Sequence, residues 1–185
     1  MLLRNTFVLF IALPLVQLLA ADRGYIRARG NPSNAGVFVD GKYAGPAGRF
    51  TVPEKYEADA GPHEVSFKDP RYEEMTTKVT VVAGKTTKLK FNLKKLPEPK
   101  GPFGRLRLGG GEKESFISVT TGDVGAIYIN GKFVGHVDEL NNLGSGILLP
   151  EGEYELYVSS PLFGEIRQQV KITANKVTVV PLPKR

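Results

Sequence analysis

The sequence has no cysteine and only two histidines among its 185 residues. No disulfide can form, even in an oxidising compartment, and no cysteine follows the N-terminal region to carry a lipid anchor. The common zinc sites, built from cysteine and histidine, are excluded with them. Beyond the N-terminus no segment is long and apolar enough to cross a bilayer, which takes ~20 residues. Helix signals are nearly absent. Nor is charge of one sign concentrated anywhere: 25 lysines and arginines stand against 19 acidic residues, for a net charge of +6, and they are scattered along the chain. A basic balance of this kind favours acidic partners such as envelope polysaccharides or anionic lipid heads, and serves plain solubility equally well.

The first 21 residues stand apart. "MLLRNTFVLFIALPLVQLLAADRG" opens with Arg4, continues as an uncharged, mostly apolar run from Thr6 to Ala21, and then meets Asp22 and Arg23. That is the layout of a secretory signal peptide, with Ala20 or Ala21 as the last residue removed; a retained N-terminal anchor is the alternative. Export makes nucleic acid a poor partner. About 160 residues remain, enough for one or two small domains held by core burial alone.

Those residues say the same thing twice. "AGVFVDGKYAG" at Ala35–Gly45 returns as "GAIYINGKFVG" at Gly125–Gly135. Downstream, Ala60–Leu93 and Pro150–Leu182 align without a gap when Gly61 is set on Gly152: Val65 meets Leu156, Pro70 meets Pro161, Val81 meets Ile172 and Lys85 meets Lys176. A tandem duplication follows. The boundaries read as a signal over 1–21, a first unit over 22–95, a Pro/Lys/Gly linker over 96–103 and a divergent second unit over 104–185. The linker belongs to the stretch "KKLPEPKGPFG", whose composition makes it short and semi-stiff.

Each unit reads as strands. "HEVSFKD", "EYELYVS", "MTTKVTVV", "TTKLKFNL" and "EIRQQVKI" alternate apolar and polar residues with many β-branched side chains. A helical flavour is confined to "EKYEADAG" and "HVDELNN". Asp40-Gly41 and Asn130-Gly131 are two-residue type I′ turns, because Asp, Asn and Gly tolerate positive φ. Val39 then pairs with Lys42 and Phe38 with Tyr43; in the second copy Ile129 pairs with Lys132 and Tyr128 with Phe133. Gly84 and Asn175 exchange at a second turn, as a left-handed position allows. The expected fold is all-β: two tandem, small antiparallel β-sandwiches.

The residues that carry this pattern resemble the PEGA domain. "NPSNAGVFVDGKYAG" places Pro32 and Ala35 where that motif begins and ends, and "AGPHEVSF" matches its Gly-x-His-x-Val strand at Gly61, His63 and Val65. In the second unit the Pro is missing and Tyr154 stands in the place of the His. The resemblance implies a small all-β module of exported bacterial and archaeal proteins, similar to surface-layer proteins. It implies no catalytic residues.

Little chemistry offers itself. His63 reads as a half-buried structural histidine on a strand, His136 as a solvated loop residue near Asp138 and Glu139. No calcium-loop spacing occurs around Asp69, Glu73 and Glu74. "LGGGEKES" lacks the ending of a phosphate loop and reads as a connection. No catalysis and no cofactor are expected. Binding surfaces are better candidates. Arg27 and Arg29, and likewise Arg105 and Arg107, lie opposite the apolar residues of their strands at places that match between the units. Lys88 and Lys90 join them from the last strand of the first unit. These charges suit an acidic glycan, or guard sheet edges. The pairs Phe38/Tyr43 and Tyr128/Phe133 suit stacking on sugar rings, or packing within the sheets. The expected function is a non-catalytic exported envelope or extracellular module that binds a protein or an acidic polysaccharide. A scaffold that pairs through its sheet edges is the alternative.

Overall fold

Alternation decides the strands. In "HEVSFK" the inward residues Val65 and Phe67 are fully buried while Glu64 is exposed. The computed structural model describes residues 22–50, 55–109, 125–137, 146–161 and 163–182. The N-terminal run, most of "LGGGEKES", and Asp138 and Glu139 lie outside them. Among the described residues the first unit has seven strands: β1 (Arg23–Asn31), β2 (Gly36–Val39), β3 (Lys42–Pro46), β4 (Tyr56–Asp59), β5 (Gly61–Lys68), β6 (Met75–Val81) and β7 (Thr86–Asn92). The second repeats them as β8 (Phe103–Leu108), β9 (Ala126–Ile129), β10 (Lys132–His136), β11 (Ile147–Pro150), β12 (Gly152–Ser160), β13 (Gly164–Ile172) and β14 (Val177–Val180). "EKYEADAG" belongs to a strand and not to a helical turn: Tyr56–Asp59 forms β4 against β1.

In each unit a four-stranded sheet, β3-β2-β5-β6 or β10-β9-β12-β13, faces a three-stranded one, β4-β1-β7 or β11-β8-β14. These are two small β-sandwich-like domains. One pair in each is parallel, first strand against last: β1 with β7 and β8 with β14. A parallel neighbour needs a long crossover, and here the crossover is the rest of the unit. Separate apolar cores fill the two sandwiches. Ile26, Val37, Val65 and Phe67 lie in the first, where Phe67 stacks on Phe91 at 4.1 Å. Leu106, Ile127, Leu156 and Ile172 lie in the second. Lys94–Leu96 fold back on the first unit: Glu73 N–H donates to the Lys94 carbonyl and Leu96 N–H to that of Arg71.

The repeated phrase forms the hairpins. Asp40 and Gly41 have φ of 50° and 77°, Asn130 and Gly131 of 49° and 75°, as a type I′ turn requires. Phe38 faces Tyr43 and Tyr128 faces Phe133. One residue then bulges from each return strand, Ala44 and Val134, before Gly45 pairs with Val37 and Gly135 with Ile127. The last glycine of the phrase follows from that bulge: its φ is 131° in one copy and 152° in the other. Gly84 and Asn175 are both left-handed, at 69° and 59°.

Candidate functional site

The hairpins also join the two units. Phe38, Phe133 and Ala126 form a third buried cluster, with Tyr43 and Tyr128 packed against it. Phe133 meets Phe38 edge-on at 5.4 Å and lies 5.7 Å from Tyr43. It seats on bare backbone, since a Cβ on Gly36 would come within 2.7 Å of its ring. The aromatics named for sugar stacking are thus largely spent on this contact: Phe38 and Phe133 are each 5% exposed. Tyr128 remains half-buried and stacks on Tyr157, which in turn carries the Arg167 guanidinium 4.0 Å above its ring. A shallow cleft lies beside the junction, between Lys68 and Glu74 of the first unit and Asn130–Phe133 of the second.

His136 is not a loop residue in water. It ends β10, is 1% exposed, and bridges the units. Its Nε2–H donates to the Asn34 carbonyl oxygen at 2.7 Å, which leaves Nδ1 to accept from the Tyr43 hydroxyl. The sequence gives no sign of this, because the partners Tyr43 and Asn34 lie 93 and 102 positions away.

His63 is structural, as its half-buried strand position implies. Nε2–H donates to the Asp59 carbonyl at 2.7 Å and Nδ1–H to Asp40 Oδ2 at 2.6 Å. Both ring nitrogens face acceptors, so the imidazolium suits the site, and the bond to Asp40 raises the His63 pKa above its ordinary value. Asp40 is held below the usual carboxylate range by the Glu64 N–H that it accepts at 2.9 Å, and then by His63. The second copy builds the same joint from other atoms. Asn130 Oδ1 accepts the Glu155 N–H at 2.8 Å, and the Tyr154 hydroxyl donates to the Pro150 carbonyl at 3.0 Å.

The arginines fall otherwise than their spacing suggests. Gly24 and Gly104 occupy equivalent places, each pressed against a backbone carbonyl, of Val82 and of Thr173, so tightly that a Cβ would not fit. Arg27 therefore matches Arg107, Arg105 matches Tyr25, and Arg29 matches Gly109. One arginine of each unit thus has an arginine counterpart in the other, Arg27 with Arg107, because the two pairs are offset by two residues along their strands. Nor do these arginines guard edges: β1 and β8 are the middle strands of their sheets. Arg27 and Arg107 share a further trait, a buried Nε without a hydrogen-bond partner among the described residues.

Parallel pairing brings together what the sequence keeps apart. Arg27 sits beside Lys88 and Arg29 beside Lys90 on the outer face of β1 and β7. Arg29, Lys88 and Lys90 are exposed, and Arg27 is half-buried. Like charges at directly adjacent cross-strand positions repel. The carboxylates of this sheet are engaged elsewhere: Glu57 and Asp59 lie 3.1 and 3.7 Å from Arg23, farther along the strand.

Comparison with known proteins places this architecture. Among solved structures, the chain is similar to the Bacillus anthracis TIE protein at 16% identity, with a TM-score of 0.31, covering 87% of this chain and 34% of that one. It is also similar to the Bacteroides ovatus SGBP-B of a mixed-linkage glucan utilization locus, in complex with a heptasaccharide, at 14% identity and a TM-score of 0.19, covering 80% and 38%. The chain thus spans little more than a third of the length of either. No curated protein matches. The PEGA domain model matches residues 23–97 and again 114–185, one match for each sandwich. The chain belongs to the PEGA domain family, as a tandem pair of its units.

Proposed function

We propose that this protein is a non-catalytic, exported module of the cell envelope that holds an acidic polysaccharide on the outer face of β1 and β7. One observation carries the reading: Arg27, Lys88, Arg29 and Lys90 stand at adjoining positions of a parallel pair, and among the described residues no ion pair engages any of them. A fold does not place four cations side by side for its own stability, since each pair repels. A polymer with regularly spaced carboxylates neutralises them and replaces repulsion with attraction. Arg29, on the middle strand, has no edge to protect, which weighs against the guarding role. Export rests on the N-terminal run from Thr6 to Ala21.

The test is retention of the full chain on immobilised polygalacturonate. Exposed charges are screened over ~8–10 Å near physiological ionic strength, so retention should fall steeply as salt rises. Replacing Arg27, Arg29, Lys88 and Lys90 together with Gln should abolish most of it. Equal retention of both proteins, or retention indifferent to salt, rejects the proposal.

A further inference from the structure

The two hairpin turns are alike in shape and unlike in chemistry. Asp40-Gly41 and Asn130-Gly131 have nearly the same φ values, and each side-chain oxygen accepts a backbone N–H from the neighbouring strand, Glu64 at 2.9 Å and Glu155 at 2.8 Å. The carboxylate of Asp40 is also bound to the His63 imidazole. In the second copy Tyr154 stands in the place of that histidine and donates to the Pro150 carbonyl rather than to the turn. Asn130 and Gly131 are both exposed. A Cβ at Gly131 would meet nothing within 4 Å, and among the described residues no hydrogen bond engages the Gly131 N–H.

We infer that Asn130 is a site of self-modification, at which the chain converts its own amide to a carboxylate with water as the only co-reactant. The Gly131 backbone nitrogen attacks Asn130 Cγ. A bond forms between them, the Cγ–Nδ2 bond breaks, and the proton of the attacking nitrogen leaves with Nδ2 as ammonia. Water then opens the cyclic imide at one of its two carbonyls, giving either aspartate or isoaspartate. Glycine sets no Cβ in the path of its own nitrogen. The Glu155 N–H donates to the oxygen on which negative charge collects as the nitrogen adds, which is how a backbone donor assists attack at a carbonyl. The other described asparagines lack the free nitrogen. Pro32 after Asn31 has no N–H. The N–H that follows Asn34 is bonded to the Pro32 carbonyl, that after Asn92 to the Asn31 carbonyl, and that after Asn175 to the Thr173 carbonyl. Asp40 would form the same imide only from a protonated carboxyl, and the Glu64 N–H and then His63 hold it ionised. The two products differ in consequence. Aspartate is the residue the first unit already carries in this turn, so the fold accepts it; it sets a new carboxylate in the cleft lined by Lys68, Glu74 and Lys132. Isoaspartate routes the main chain through Cβ, one atom longer, in a two-residue turn that has no slack. It parts Tyr128 from Phe133 and loosens the seat of Phe133 against Phe38.

The experiment incubates the full, folded chain in neutral and in mildly alkaline buffer and follows it by peptide mapping with mass spectrometry. The peptide that holds Asn130 should gain about 1 Da and resolve into aspartate and isoaspartate forms, while the peptide that holds Asn175 stays unchanged. Attack needs the Gly131 nitrogen without its proton, so the rate should rise about tenfold for each pH unit. Gly131→Ala, which sets a methyl group beside that nitrogen, should slow the conversion about tenfold. Asn130→Asp should melt with the unaltered chain, whereas the separated isoaspartate form should melt lower. No mass gain at Asn130 in the folded chain overturns the inference. So does a gain at Asn175 as fast as that at Asn130, or an unchanged rate in Gly131→Ala with circular dichroism showing it folded. If that variant does not fold, the comparison of Asn130 with Asn175 in the unaltered chain decides alone.

Discussion

Phe133→Ala should uncouple the two units without unfolding either. The ring is 5% exposed, yet it belongs to neither sandwich core. Its neighbours are Phe38 at 5.4 Å and Tyr43 at 5.7 Å across the junction, with Tyr128 and His136 at 5.9 and 5.3 Å on its own side. Burying a Phe side chain contributes ~1.5–3 kcal/mol, and well-placed aromatic pairs add ~0.5–1.5 kcal/mol. Truncation then leaves a cavity against Gly36 that backbone cannot fill, so a loss of ~3–5 kcal/mol is expected. Most of it falls on the contact between units. Scanning calorimetry of the full chain should therefore show one cooperative transition that splits into two in the variant. The less stable unit should melt lower by on the order of 10 °C, since 1 kcal/mol moves a domain of this size by ~4–8 °C and the unit keeps its own core. A single transition lowered as a whole would mean that Phe133 supports the second sandwich directly. An unchanged thermogram would mean that the junction is not formed.

Two further outcomes follow from the turns. Gly41→Val and Gly131→Val force a β-branched residue to φ of 77° and 75°, where no neighbour obstructs a Cβ, so the penalty is backbone strain alone, ~1–3 kcal/mol at each site by chemical denaturation. The His63–Asp40 joint makes the first unit pH-dependent. The raised pKa of His63 gives stability that is complete below its unfolded value of ~6.5 and is lost as pH rises through the folded value; the lowered pKa of Asp40 gives stability present above ~3.9 and lost as pH falls. The melting temperature should peak between those limits and flatten with His63→Gln; an unaltered profile in that variant would refute the pairing.

What was legible in the sequence follows the range of each interaction. The type I′ turns, the facing of Phe38 with Tyr43 and the left-handed pair Gly84 and Asn175 are decided within a few residues, where Gly, Asn and Asp admit φ values that other side chains resist. The β1–β7 pairing joins residues some sixty positions apart, and local alternation carries no information about which strands meet or in which direction. That is why Arg27 and Arg29 could be picked out as outward cations while their contact with Lys88 and Lys90 could not. The junction was hidden for another reason. An aromatic pair on a hairpin looks the same whether its free face meets sugar, water or another domain. What distinguishes the cases is Gly36, which reads in the sequence as one more strand residue and becomes informative only when Phe133 is seen to rest on it.

Duplication gives this chain an internal control that a single domain lacks. At the hairpin joint, each copy supplies a side-chain oxygen for the backbone N–H of Glu64 or Glu155 and a donor for the carbonyl of Asp59 or Pro150. The residues differ together: a carboxylate beside an imidazole that can donate twice, an amide beside a phenol that donates once. A constraint met by two chemistries belongs to the fold. The outer faces behave in the opposite way. There the register is kept while the side chains change character as a group, from Glu57, Thr86 and Lys88 to Leu148, Val177 and Val179. No backbone group needs either set, and water alone would favour the polar one. Surfaces that part while the turns beneath them are rebuilt to the same geometry are free of the fold's own constraint, and the two units that carry them are joined through Phe38, Phe133 and His136.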